Sequence, residues 1–144
     1  MPIMKILKIL FLFFIGLNLT ACEAIQKATN TTSTAFSLTG KWRLTSNTPE
    51  NVLVGSVVTV TPLLSEGRVT TMTGTGNCVR QNDVVWKTVA ADNAGGFTIN
   101  NLVSGCNGLD FQPGRIYVVS PNEIRLSGKN ATGQELTQTW ERVK

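Results

Sequence analysis

Arg115-Ile116-Tyr117-Val118-Val119-Ser120-Pro121-Asn122-Glu123-Ile124-Arg125-Leu126 holds two short strands and the reversal between them. Ile124 and Leu126 flank the charged Arg125, and side chains on a strand alternate between faces, so one face is apolar and the other wet. Ser120-Pro121-Asn122 supplies residues that favour a turn. The same grammar extends in both directions. Val84 and Trp86 share a parity opposite to that of Lys87, and short runs rich in Val, Thr and Ile recur from Leu38 onward, separated by Gly, Asn, Asp and Pro.

This texture predicts strands over 38–46, 52–61, 67–74, 84–90, 97–102, 114–119, 122–128 and 134–143, with no amphipathic helix of useful length. Pro62 to Gly67, Asp92 to Gly96 and Gly128 to Gly133 provide further reversals. Connections this short favour hairpin neighbours. A sheet of eight strands with one apolar face must find cover, and closing on itself hides that face and removes both edges. The expected fold is therefore all-β, an antiparallel up-and-down eight-stranded β-barrel. Such a barrel holds either a filled core or space for one small ligand.

The chain has 144 residues, 42% hydrophobic and 15% charged, enough for one modest domain. It has no histidine. That absence removes the commonest general base, the Ser-His and Cys-His pairs and most mixed-ligand zinc sites. No catalytic residue, metal ligand or cofactor is assigned, and a non-enzymatic role is expected.

Residues 1–21 have the order of a secretory signal: Lys5 and Lys8, the apolar run Ile9 to Leu17, then small residues. The run falls short of the roughly 20 apolar residues of a spanning helix. Leu19-Thr20-Ala21-Cys22 resembles the bacterial lipobox, which implies a diacylglyceryl group on Cys22 and a membrane partner through that lipid. Glu23 is not the aspartate associated with inner-membrane retention in enteric bacteria, so the resemblance points to the outer membrane of the cell envelope. Without Lys5 and Lys8 the net charge falls from +4 to about +2, and the remaining cations are scattered, so no nucleic-acid partner is expected. Residues 22–37, rich in Thr, Ser, Ala and Asn, read as a flexible tether ahead of a domain over 38–144, with Phe36 the tether residue best suited to touch the fold.

With Cys22 assigned to lipid, Cys78 and Cys106 form an even pair in an exported chain. An oxidising compartment favours a disulfide between them. A metal site would need carboxylates to complete it, in no recognisable spacing, and two free thiols are the other alternative.

The domain opens with Leu38-Thr39-Gly40-Lys41-Trp42-Arg43-Leu44 and closes with Thr139-Trp140-Glu141-Arg142. This pairing resembles the calycins, and the whole pattern resembles the short lipocalin-like domains of bacterial lipoproteins. The resemblance implies that Gly40-Lys41-Trp42 is the first-strand Gly-x-Trp motif and that Arg142 is the basic residue crossing the Trp ring where the barrel closes. Gly40, Trp42 and Arg142 are then its structural signature. Guanidinium stacking on indole contributes roughly 0.5 to 2 kcal/mol. Avidins share Gly-Lys-Trp but use several pocket tryptophans, and after Trp42 and Trp140 only Trp86 remains.

Other motifs fail on inspection. Gly74-Thr75-Gly76 has Val79 where a dinucleotide fingerprint needs its last glycine, and Gly128-Lys129 lacks both the upstream glycine and the hydroxyl residue of a phosphate loop. Asp83, Asp92 and Asp110 lie beside turns, where aspartates commonly bond local backbone.

The leading functional expectation is a membrane-anchored lipocalin-like lipoprotein that binds a small apolar or amphipathic ligand in its barrel. Met72, Trp86, Ile99 and Tyr117 are the candidate lining residues, by presumed inward parity and ring or sulfur content. The alternative is an envelope structural or interaction protein, inhibitor-like, with a filled barrel and a protein partner met by its outer surface.

Overall fold

The computed structural model describes residues 36–61 and 63–144. The expected signal segment, the expected lipid site Cys22 and the expected tether as far as residue 35 lie outside the described residues. Eight strands follow one another: β1 (Gly40–Thr48), β2 (Val57–Thr61), β3 (Glu66–Thr71), β4 (Val84–Ala91), β5 (Phe97–Ser104), β6 (Asp110–Ser120), β7 (Glu123–Lys129) and β8 (Glu135–Arg142). Each pairs antiparallel with the next, and β8 returns to β1, so the sheet is a closed up-and-down barrel. The expected architecture is the one observed. Among the described residues no helix is long and apolar enough to cross a membrane.

Alternation sends one residue in two inward. Trp42 and Leu44 from β1, Val58 from β2, Trp86 from β4, Ile116 from β6, and Ile124 and Leu126 from β7 are essentially fully buried. Cross-strand partners share a face, so Ile116 of β6 lies opposite Leu126 of β7 and the two build the core in register. The compact unit begins at Phe36, two residues before the expected boundary. The Phe36 ring packs 6.0 Å from Trp42 and 6.1 Å from Phe97.

Several strand ends shift by a few residues, β3 ending at Thr71 rather than 74 among them, and two of the larger shifts have clear physical reasons. Residues 52–56, expected to begin β2, form a loop in which Leu53 (φ 64°) and Gly55 (φ 95°), two residues apart, adopt left-handed backbone that breaks the extended course. The loop turns back on β1 through Gly55 N–H to Leu44 O at 2.7 Å and Leu44 N–H to Ser56 O at 2.9 Å. Strand β6 begins at Asp110 rather than 114. Residues 110–113 pair with β5 alone, so Pro113 sits on a one-sided extension where a missing N–H is tolerated.

The alternating course gives the barrel two unlike ends. The β2–β3, β4–β5 and β6–β7 turns lie at one end with both the Phe36 entry and the C-terminus. The longer loops 49–56 and 72–83 lie at the other, with loops 105–109 and 130–134.

Candidate functional site

The first end is shut by side chains. Trp42 donates its indole N–H to Leu38 O at 2.8 Å, and the Arg142 guanidinium lies 4.2 Å from the Trp42 ring centroid. Arg142 then donates to Thr39 O and Ser37 O, each at 2.8 Å, and to Pro121 O at 3.1 Å. Gly40 is favoured here by its φ of +123°, and a Cβ would press on Arg142 Nη1 at 3.0 Å. Gly40, Trp42 and Arg142 therefore lie together at this end.

The other end is covered by loops. Cys78 and Cys106 form a disulfide, which fixes the 72–83 loop to the 105–109 loop. Glu50 accepts a hydrogen bond from Asn77 Nδ2 at 2.7 Å and another from Asn130 Nδ2 at 3.0 Å, so one carboxylate holds three loops together. A second chain runs from the barrel wall into the cover: Trp140 Nε1 donates to Gln138 Oε1, Gln138 Nε2 to Asn47 Oδ1, and Asn47 Nδ2 to Val52 O.

Beneath this cover lie two small cavities. One, about 40 Å³, is walled by Leu44, Val58, Val69, Met72, Trp86 and Trp140, with Leu53 and Val79 reaching down from the loops. Ser56, Asn101 and Gln138 are its polar wall residues. The other, about 30 Å³, shares Leu53, Val79, Asn101 and Gln138 and adds Asn47, Glu50, Asn77 and Asn130. A single water needs roughly 10 to 15 Å³ measured in this way, so the larger cavity takes a group of about three non-hydrogen atoms.

The polar groups in this wall are unequally satisfied. Trp86 and Trp140 meet edge to face with centroids 4.9 Å apart. Trp140 has its acceptor in Gln138, whereas Trp86 Nε1 is buried with no hydrogen-bond partner among the described residues. A buried donor left unpaired costs about 1 to 3 kcal/mol. Gly67 makes room for this indole, since a Cβ there would stand 2.7 Å from Trp86 Cε3.

Of the four residues expected to line a ligand space, Met72 and Trp86 do line the larger cavity. Ile99 is buried in the core and is not on that wall. Tyr117 corrects the expectation: it is 44% exposed on the outer face, its ring 4.8 Å from the Arg115 guanidinium carbon. Its partner across β7 is Arg125, whose outward parity it shares, while the aliphatic Ile116 takes the inward place. The cover residues Leu53, Val79 and Glu50 and the wall residue Gln138 escaped sequence reading. Leu53 lay inside an expected strand, and no spacing tied Glu50 to amides at positions 77 and 130.

Asp83 and Asp92 bond local backbone, as their turn settings suggested. Asp83 accepts from Arg80 N–H at 2.7 Å. Asp92 accepts from the Ala94 and Gly96 N–H groups and pairs with Arg115 at 2.9 Å. The Gly96 N–H, then that of Ala94 and the Arg115 charge, hold the Asp92 carboxyl below its ordinary value against the opposing pull of desolvation. Compared with protein-family models, curated proteins and solved structures, the chain matches none.

Proposed function

We propose that this chain is a lipocalin-like lipoprotein of the bacterial cell envelope, anchored through Cys22, that binds the apolar tip of a small amphipathic ligand at the covered mouth of its barrel. It has no chemistry of its own. The observation that carries this reading is the small, largely apolar cavity at the mouth, walled by Leu44, Val58, Met72, Trp86 and Trp140 with Ser56, Asn101 and Gln138 as its polar groups. An apolar wall with a few placed polar groups suits a ligand that is largely apolar and offers one acceptor. The cavity of about 40 Å³ is far below the roughly 300 Å³ at which drug-sized pockets begin, so a long acyl chain is not its ligand.

Titration of the purified protein with butanol, butyramide and octanoate, followed by tryptophan emission, tests the proposal. Saturable changes with the short probes, lost in Trp86→Phe, support it. Unchanged emission with all three overturns it.

The small interior favours a second reading, in which the filled barrel is a scaffold and an envelope protein is met by its outer surface. Its test is a pull-down from envelope extract. One stoichiometric partner supports this reading, and no enrichment over a tether-only control sinks it.

A further inference from the structure

The exposed large hydrophobic side chains are unevenly placed. Leu63 is 95% exposed and Leu64 62%, both at the tip of the β2–β3 hairpin, and Val119 is 51% exposed one residue before the end of β6. All three lie at the end closed by Trp42 and Arg142. The loop-covered end has only Leu109 among the described residues of this kind. Isolated surface leucines are ordinary, but two adjacent ones on a turn leave most of their apolar surface to solvent. Beside them Glu66 and Arg68 pair at 2.7 Å, so these two hairpin charges neutralise one another.

The chain N-terminal of Phe36 supplies the second argument. Phe36 packs at this same closed end, against Trp42 and within 5.6 Å of the Arg142 guanidinium carbon. The segment between it and Cys22 spans at most about 50 Å when fully extended. A lipid on Cys22 would therefore hold the chain from the closed end, the end that also carries Leu63 and Leu64.

We infer that the β2–β3 hairpin docks on the membrane, with Leu63 and Leu64 entering the interfacial layer of the bilayer that holds the acylated Cys22. The inference rests on the anchoring reading given above. A short tether supplies a high local concentration of surface, so two leucines are enough to bias orientation although they would not recruit a free protein. The covered mouth then faces away from the lipid, toward the aqueous phase.

The test uses the full lipidated protein in vesicles of phosphatidylethanolamine and phosphatidylglycerol with brominated acyl chains, which quench tryptophan on contact. Leu64→Trp is compared with Leu109→Trp at the opposite end, and Leu63→Trp serves as a second probe of the hairpin. The expected result is at least about twofold stronger quenching of the added emission at positions 63 and 64 than at 109. Mass spectrometry of the N-terminal peptide reads acylation in the same sample. An acylated protein with no excess quenching at the hairpin overturns the docking alone, whereas an unacylated Cys22 removes both the anchor and the docking built on it.

Discussion

Arg142 stands 4.2 Å above the ring of Trp42 and at the same time spends its donors on Ser37, Thr39 and Pro121 carbonyls. One side chain thus joins the last strand to the first, to the entry segment and to the β6–β7 turn. Antiparallel pairing alone brings β8 beside β1, but it leaves the end of the cylinder open. The guanidinium closes it because its flat cation suits an indole face while its edge donates in several directions.

Arg142→Ala is expected to lower stability by about 2 to 3 kcal/mol, since three carbonyls lose a charged donor and the indole loses its cover. Arg142→Lys should recover less than half of that loss, because an ammonium cannot stack and reach these acceptors together. Urea unfolding followed by tryptophan emission measures both.

The two buried indoles should respond differently to Trp→Phe. Trp42 donates to Leu38 O, so Trp42→Phe orphans a buried acceptor, whereas Trp86→Phe removes a donor that has no partner. Trp42→Phe is expected to be the more destabilising by about 1 to 2 kcal/mol. Equal unfolding midpoints would contradict this.

Gly67→Ala places a methyl 2.7 Å from Trp86 Cε3 and 2.9 Å from Val58 Cγ1, both inside the core. Overpacking of this kind costs about 1 to 3 kcal/mol. The near-ultraviolet circular dichroism should change with it, because the Trp86–Trp140 edge-to-face pair must shift.

Replacing Cys78 and Cys106 together by serine should cost about 3 to 4 kcal/mol in the chain-entropy account, given their sequence separation of 28. Limited proteolysis should then find its first cuts in the 72–83 loop, while strands β5 to β8 stay protected. Cuts elsewhere first would show that the bridge does not hold the cover.

Asp92 carries a prediction about acid. Its carboxyl titrates below the ordinary value chiefly because the Gly96 N–H bonds the charged form, with Ala94 and Arg115 adding to it. Its stabilising contribution is complete above the unfolded value of about 3.9 and is lost as pH falls through the lowered folded value. Asp92→Asn should therefore reduce the loss of stability between about pH 5 and pH 2, as read from unfolding midpoints.

The residue pattern alone determined the eight strands and the closed barrel, while the meeting of Trp42 with Arg142 was implied by the calycin resemblance and the pairing of Cys78 with Cys106 was favoured over free thiols or a metal. These follow from the period-two alternation, from short turns that make successive strands neighbours, and from the residues at the two ends of the domain. Only the tertiary structure decided that Tyr117 points outward, that residues 52–56 leave the sheet, and that three tryptophans and the loop residues Leu53 and Val79 fill the interior. The reason is physical. Alternation says that a strand has two faces but not how much volume remains once all eight inner faces converge, and a loop's path is set by distant partners, as Glu50 is by Asn77 and Asn130, which no local spacing records.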